Sequence, residues 1–246
     1  MARTDFTTPR LCLECDLSEG ATAALSLDEA NYLLNVLRLT RGAGVLVFNG
    51  RDGEFAAALG GERKRATLTL TQKLREQETP PPVDYLFAPL KHARLDYMAQ
   101  KAVEMGARSL RPVLTRRTQA ARVNLERLAA NAREACEQCG VIWRPEVFAP
   151  QPLGEALAQW PAERLLVFCD EDAAVANPLD ALRAAPDAAG VGLLIGPEGG
   201  FTDEERDEIG RLPNVLRLSL GPRILRADTA AVAALALIQA RFGDWR

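Results

Sequence analysis

Apolar and polar positions follow two different rhythms along the chain, and the change between them falls near residue 75. Before it, short β-type runs at 45–48, 54–59 and 66–71 are separated by Asn49-Gly50, Asp52-Gly53 and Gly60-Gly61, residues suited to tight turns. One helix is predicted over 26–39. Ser26 and Glu29 form a capping box there, and Tyr32, Leu33, Val36 and Leu37 recur at helical spacing. Short strands with glycine turns suggest a small barrel over 1–74. The run REQETPPP at 75–82 extends neither a helix nor a central strand, so it reads as a stiff linker.

From 83 to 246 strands and helices alternate. Strands are predicted at 83–88, 109–114, 164–169, 190–195 and 215–220, with a less regular extended segment at 146–148. Helices are predicted at about 94–105, 124–139, 153–160, 177–185, 203–211 and 228–242. This order implies an α/β fold with a parallel sheet covered by helices on both faces. The last helix is apolar almost without a break from Ala230 to Ile238. A helix apolar all round is buried, either in its own core or partly by a second subunit.

Apolar residues make up 48% of the 246, enough for a sizeable core. There is no run of 18 apolar residues, and MARTDFTTPR has no signal-peptide pattern, so a cytoplasmic protein without a membrane span is expected. A net charge of −3 argues against a wholly basic nucleic-acid coat. Locally, however, Arg108, Arg111, Arg116, Arg117, Arg122 and Arg127 face a single acid, Glu126. That segment is either a phosphate-neutralising patch or an arginine-rich solvated face. Cys12/Cys15 and Cys136/Cys139 have metal-site spacing. The first pair lies in a strand pattern, which turns i and i+3 to opposite sides, and the second lies in a helical pattern. No metal is expected, and reduced thiols are.

Two segments after predicted strands carry the chemistry. In IGPEGGFTDEE, three glycines and a proline make a tight loop at Ile195–Gly200, and Thr202 with Glu205 caps the next helix. In LSLGPRILRADTAA, a Gly-Pro turn leads past Arg223 and Arg226 into a helix that Asp228 is expected to cap. Ligands of open α/β sheets bind beyond the carboxyl ends of strands, where both loops sit. The Walker lysine and the G-x-G-x-x-G fingerprint are both missing.

These two segments closely resemble the signature of the RsmE family, ribosomal RNA small-subunit uracil-N3 methyltransferases of the SPOUT superfamily. The likeness extends to VLRL…G…VFNGRDGEF, KAVEMGA…RPVLTRRTQ, NAREACEQCG and ARFGD, in the same order. It implies a PUA-like RNA-binding domain over 1–74 and a methyltransferase domain over 83–246 with a deep C-terminal trefoil knot. It also implies S-adenosylmethionine as methyl donor, a homodimer, and methylation of uridine 1498 of 16S rRNA in the small ribosomal subunit. The donor site it implies comprises Ile195, Gly196, Pro197, Glu198, Gly199, Gly200, Leu218, Leu220, Gly221, Ile224, Leu225 and Arg226, with Leu220 and Ile224 walling the adenine. Asp228 stands where members often carry Glu.

Methylation at N3 requires loss of the imide proton. A cation near the uracil oxygens favours that loss, for which Arg226 is the first candidate and Arg223 the second. Glu198 or Asp228 is the candidate proton acceptor. His92, the only histidine, is given no role. RNA contacts are assigned to Arg38, Arg41, Arg111, Arg116 and Arg117, with solvated surface charge as the competing account. Two rival functions remain: a 2′-O-ribose methyltransferase of the same superfamily, and a non-catalytic RNA-binding assembly factor.

Overall fold

The computed structural model describes residues 7–62, 65–91, 93–120, 122–174 and 177–245; His92 lies outside them. The chain divides into two compact units. One comprises 1–79 with 133–144, and the other 80–132 with 145–246. No helix among the described residues is long and apolar enough to cross a membrane.

The first unit is built on a five-stranded mixed sheet in the order β1-β3-β4-β5-β2. Its strands are β1 (Arg10–Cys12), β2 (Thr22–Ala24), β3 (Gly44–Phe48), β4 (Glu54–Glu62) and β5 (Arg65–Arg75). β1 runs parallel to β3, the remaining pairs are antiparallel, and β1 and β2 form the two edges. Val45, Val47, Phe55, Leu68 and Leu70 join Leu11, Leu13 and Leu33 in one core, as alternation along half-buried strands requires. The predicted turn at 49–53 is held by the buried Asn49, whose Oδ1 accepts from the backbone of Arg51 and Asp52.

The helix predicted over 26–39 starts as expected. Ser26 and Glu29 form both bonds of the capping box ahead of α1 (Leu27–Asn31). It then widens into a π-helical turn at Tyr32–Val36 and stops at Leu37 instead of reaching residue 39. Arg38 follows with φ 56°, the only positive φ among the described non-glycine residues. That left-handed residue ends the helix. The strand pattern read through Cys12 and Cys15 also stops early, at Cys12, and Cys15 is exposed beyond its end.

The second unit carries a parallel sheet in the order β12-β10-β11-β6-β7-β8, with a short β9 (Gln151–Pro152) beside β7. Its strands are β6 (Val83–Phe87), β7 (Ser109–Leu114), β8 (Glu146–Val147), β10 (Leu165–Cys169), β11 (Val191–Ile195) and β12 (Val215–Leu218). Around it lie α2 (Ala93–Glu104), α3 (Leu125–Cys139, shared between the units), α4 (Leu153–Ala158), α5 (Pro178–Ala184), α6 (Asp203–Gly210) and α7 (Ala227–Phe242). The central strands are apolar on both faces because helices cover both. Leu86, Leu166, Phe168 and Leu194 pack with α4 and α6 residues, while α2 and α7 pack together and α7 also covers β6 and β11.

A buried carboxylate anchors the amino-terminal part of this sheet. Asp84 accepts from Ser109 Oγ at 2.5 Å and from Arg108 at 3.1 and 3.2 Å, and it pairs with the buried Arg164. Burial pushes its pKa up, but the Arg108 and Ser109 hydrogen bonds and the Arg164 charge hold it below the ordinary aspartate value.

Candidate functional site

The site grows from the register of four parallel strands. Phe87 pairs with Ile195, Ile195 with Cys169, and Cys169 with Leu218. The loops after β6, β11, β10 and β12 therefore leave the sheet side by side. The two glycine loops flank the end of β10, two strand spacings (~10 Å) apart.

Local chemistry fixes the first loop. Gly200 closes a turn by donating to the Pro197 carbonyl at 2.9 Å, and its φ of 68° suits glycine. Phe201 is fully buried and meets Phe168 edge-on at 4.9 Å between centroids. Its ring lies where a Gly196 side chain would point. Thr202 and Glu205 form the expected capping box, which starts α6. Arg117 donates to the Gly199 carbonyl at 2.7 Å, and the Arg116 amide donates to Glu205 at 2.7 Å. Glu198 is exposed and pairs with Arg94 at 3.4 Å.

The second loop follows the buried Leu218 and Ser219 and turns at Gly221, φ 102°. Leu220 and Leu225 are half-buried, and Ile224 is 95% exposed. Arg223 and Arg226 are exposed, and neither side chain has a hydrogen bond or ion pair among the described residues. The expectation that Asp228 caps the last helix is corrected. α7 begins at Ala227 with Arg226 in the cap position and no side-chain cap bond. Asp228 sits one residue into the helix, where its carboxylate accepts from the Thr229 amide at 2.8 Å. An acid in the first turn is still favoured there by the helix dipole.

The residues assigned to RNA fall into three groups. Arg38 and Arg41 are exposed in the first unit. Arg116 pairs with Glu204 at 3.1 Å, so with Arg117 it is held against the first glycine loop and α6. Arg111 is half-buried: it donates to Ser109 at 3.1 Å, lies 3.8 Å from Asp84 and stacks on Phe148 at 3.6 Å. Sequence reasoning missed Asp170, Arg206 and Arg217, which join at this strand edge. The one available signal was the acidic triplet Asp170-Glu171-Asp172 directly after an apolar strand. Cys169 is no nucleophile here, because burial, with the Asp170 charge adding to it, pushes its thiol up to about 12.

Residues 77–239 match the family described as "RNA methyltransferase domain", and residues 26–71 the "RNA methyltransferase PUA domain". Among known proteins, the chain is similar to "Ribosomal RNA small subunit methyltransferase E" of Synechocystis. That match is 34% identical over 224 residues, 89% of this chain and 73% of that one. The protein of the same description from Rickettsia conorii is 29% identical over 232 residues, 94% of each chain. The solved structure of a ribosomal RNA small subunit methyltransferase E from Neisseria gonorrhoeae, bound to S-adenosyl methionine, superposes with a TM-score of 0.86. It is 28% identical and covers 97% of this chain and 100% of that one. A Legionella pneumophila protein solved in complex with the same cofactor gives a TM-score of 0.81 at 28% identity, over 95% and 97% of the two chains.

Proposed function

Because this chain belongs to the RNA methyltransferase family, in the branch of ribosomal RNA small subunit methyltransferase E, we propose that it transfers a methyl group from S-adenosylmethionine to N3 of uridine 1498 in 16S rRNA. The observation that carries the reading is the strand register that brings the loops at 196–202 and 219–226 out of one sheet edge.

The residues there suit the donor. Gly196, Pro197, Gly199 and Gly200 offer backbone groups with little side-chain bulk. Leu220 and Ile224 supply apolar walls for an adenine, and the near-complete exposure of Ile224 leaves it open to such a contact. When bound, S-adenosylmethionine supplies a methyl carbon activated by its sulfonium. Arg226, with Arg223 second, stabilises the uracil anion that forms when N3 loses its proton. Both guanidiniums are exposed and without side-chain partners among the described residues, so neither must break an ion pair to reach a base. Glu198 or Asp228 accepts the proton. Holding donor and base in line supplies much of the remaining acceleration.

RNA is positioned by Arg38 and Arg41 on the PUA unit and by Arg116 and Arg117 beside the donor loop, with Arg111 acting through its stack on Phe148. The domain limits of this reading are 1–74 for the RNA module, 75–82 for the linker and 83–246 for the methyltransferase domain with its trefoil knot. A homodimer and a cytoplasmic location, where small subunits are found, complete it. Val232, Ala233, Ala236 and Leu237 on α7 are only half-buried in one chain, which supports cover by a second copy.

The test is methyl incorporation into small subunits lacking the modification, and into naked 16S rRNA, followed by nucleoside analysis. The expected product is 3-methyluridine at one site. A 2′-O-methylated nucleoside, or no incorporation at all, would overturn the assignment.

A further inference from the structure

We propose that Asp170 is a positioning residue that locks the two glycine loops of the methyl-donor site into one geometry; this rests on the donor reading above. Asp170 is buried at the carboxyl end of β10, between the strands that launch the two loops. One carboxylate oxygen accepts from Arg206 Nε at 3.1 Å, and the other pairs with Arg217. Arg206 belongs to α6, the helix that continues the first loop. Arg217 belongs to β12, two residues before the second loop begins. The Asp170 amide also donates to the Leu218 carbonyl at 3.2 Å.

The link reaches the first loop by a second route. Arg206 pairs with Glu171 at 2.9 Å, and the Glu171 carboxylate fills the space where a side chain on Gly200 would have to go. Asp170, Glu171 and Asp172 lie close enough together to suggest a cation site, yet the Arg206 guanidinium bonds all three. The cluster is therefore tied to α6 by an arginine. A buried ion pair is a weak source of stability, since well-packed apolar residues of similar volume often do as well or better. What a carboxylate bonded to two elements does provide is a fixed angle between them. Here those elements carry the two loops of the proposed donor site.

Calorimetric titration of the full chain with S-adenosylmethionine tests this. Arg217 is half-exposed, so Arg217→Gln should fold normally, and its donor affinity is expected to fall about threefold to tenfold. Arg217→Lys, which keeps the charge, should stay within about twofold of the parent. Asp170→Asn should lose at least tenfold, and adding Arg217→Gln to it should cost nothing further, because the partner is already gone. Steady-state assays should show the loss in KM for the donor, with KM for the small subunit within about twofold. If Asp170→Asn does not fold, the Arg217 pair decides. Parent-like affinity in Arg217→Gln, or additive losses in the double variant, would overturn the positioning role while leaving the donor site intact. A parent protein that binds no S-adenosylmethionine would overturn both.

Discussion

Replacing Gly196 with alanine puts a methyl group against the ring of Phe201, and its cost can be worked from the structure. The added carbon would lie 2.5 Å from Cε2, 2.9 Å from Cδ2 and 3.0 Å from Cζ. Non-bonded carbons prefer about 3.5–4.0 Å. Phe201 cannot retreat easily, being fully buried and set edge-on to Phe168 in the core formed with α4 and α6. Overpacking of this kind costs about 1–3 kcal/mol, a large share of a typical 5–15 kcal/mol stability. Phe201→Leu removes two of the three clashing carbons and by itself leaves a partial cavity, costing ~1–3 kcal/mol. The double variant should therefore lose less than the two single losses added together, by about 1 kcal/mol or more. Urea denaturation of the four proteins, followed by tryptophan fluorescence, measures this coupling, and titration with S-adenosylmethionine should show weaker donor binding in Gly196→Ala. Single losses that add within about 0.4 kcal/mol would refute the idea that the loop is shaped by the Phe201 ring.

Three further expectations follow from named residues. Arg38→Gly keeps the left-handed backbone and should change stability by less than about 1 kcal/mol, since relief of strain offsets the extra freedom of the unfolded chain. RNA binding should weaken, with the slope of log affinity against log salt shallower by about 1; an unchanged slope would remove Arg38 from the RNA contact. Asp84 titrates below its ordinary value in the folded chain, so its contribution is present above the unfolded pKa and lost as pH falls through the depressed folded one. Asp84→Asn should cost about 3–5 kcal/mol at neutral pH by stranding the buried Arg164, and should flatten the acid limb of stability in urea melts below about pH 4. Arg226→Ala should bind S-adenosylmethionine within a few-fold of the parent yet lose most turnover in the subunit assay, and retained turnover would take Arg226 out of the mechanism.

The parts of the fold that were legible are those written in short-range patterns. The capping boxes at Ser26 and Thr202 appear as read, because each needs only two residues three apart. The parallel sheet followed from apolar runs alternating with amphipathic ones, since strands covered on both faces cannot alternate with polar residues. The end of the first helix was not legible: helical periodicity continues through Leu37, and nothing local marks the π turn or the left-handed Arg38. Asp228 looked like a cap because aspartate is a good one, whereas the chain enters α7 at Ala227. The glycine loops stood out by composition. The Asp170 link did not, because its arginines lie 36 and 47 residues away and only the sheet brings them together. Arg111 shows the same limit, since its neighbour Asp84 is on another strand.

The order of strands in the second unit also bears on how this protein is made. Val83 pairs with Val191, and Leu166 with Val215, so β6 and β10 each wait for a partner translated later. Until β11 leaves the ribosome, the edge of β6 that it will cover is an unpaired apolar strand, a template for association with other chains. Closing such long loops before any pairing is gained makes parallel sheets slow to form. Productive folding of this unit is thus essentially post-translational, and truncations ending before α7 should accumulate as aggregates and not as half-active enzyme.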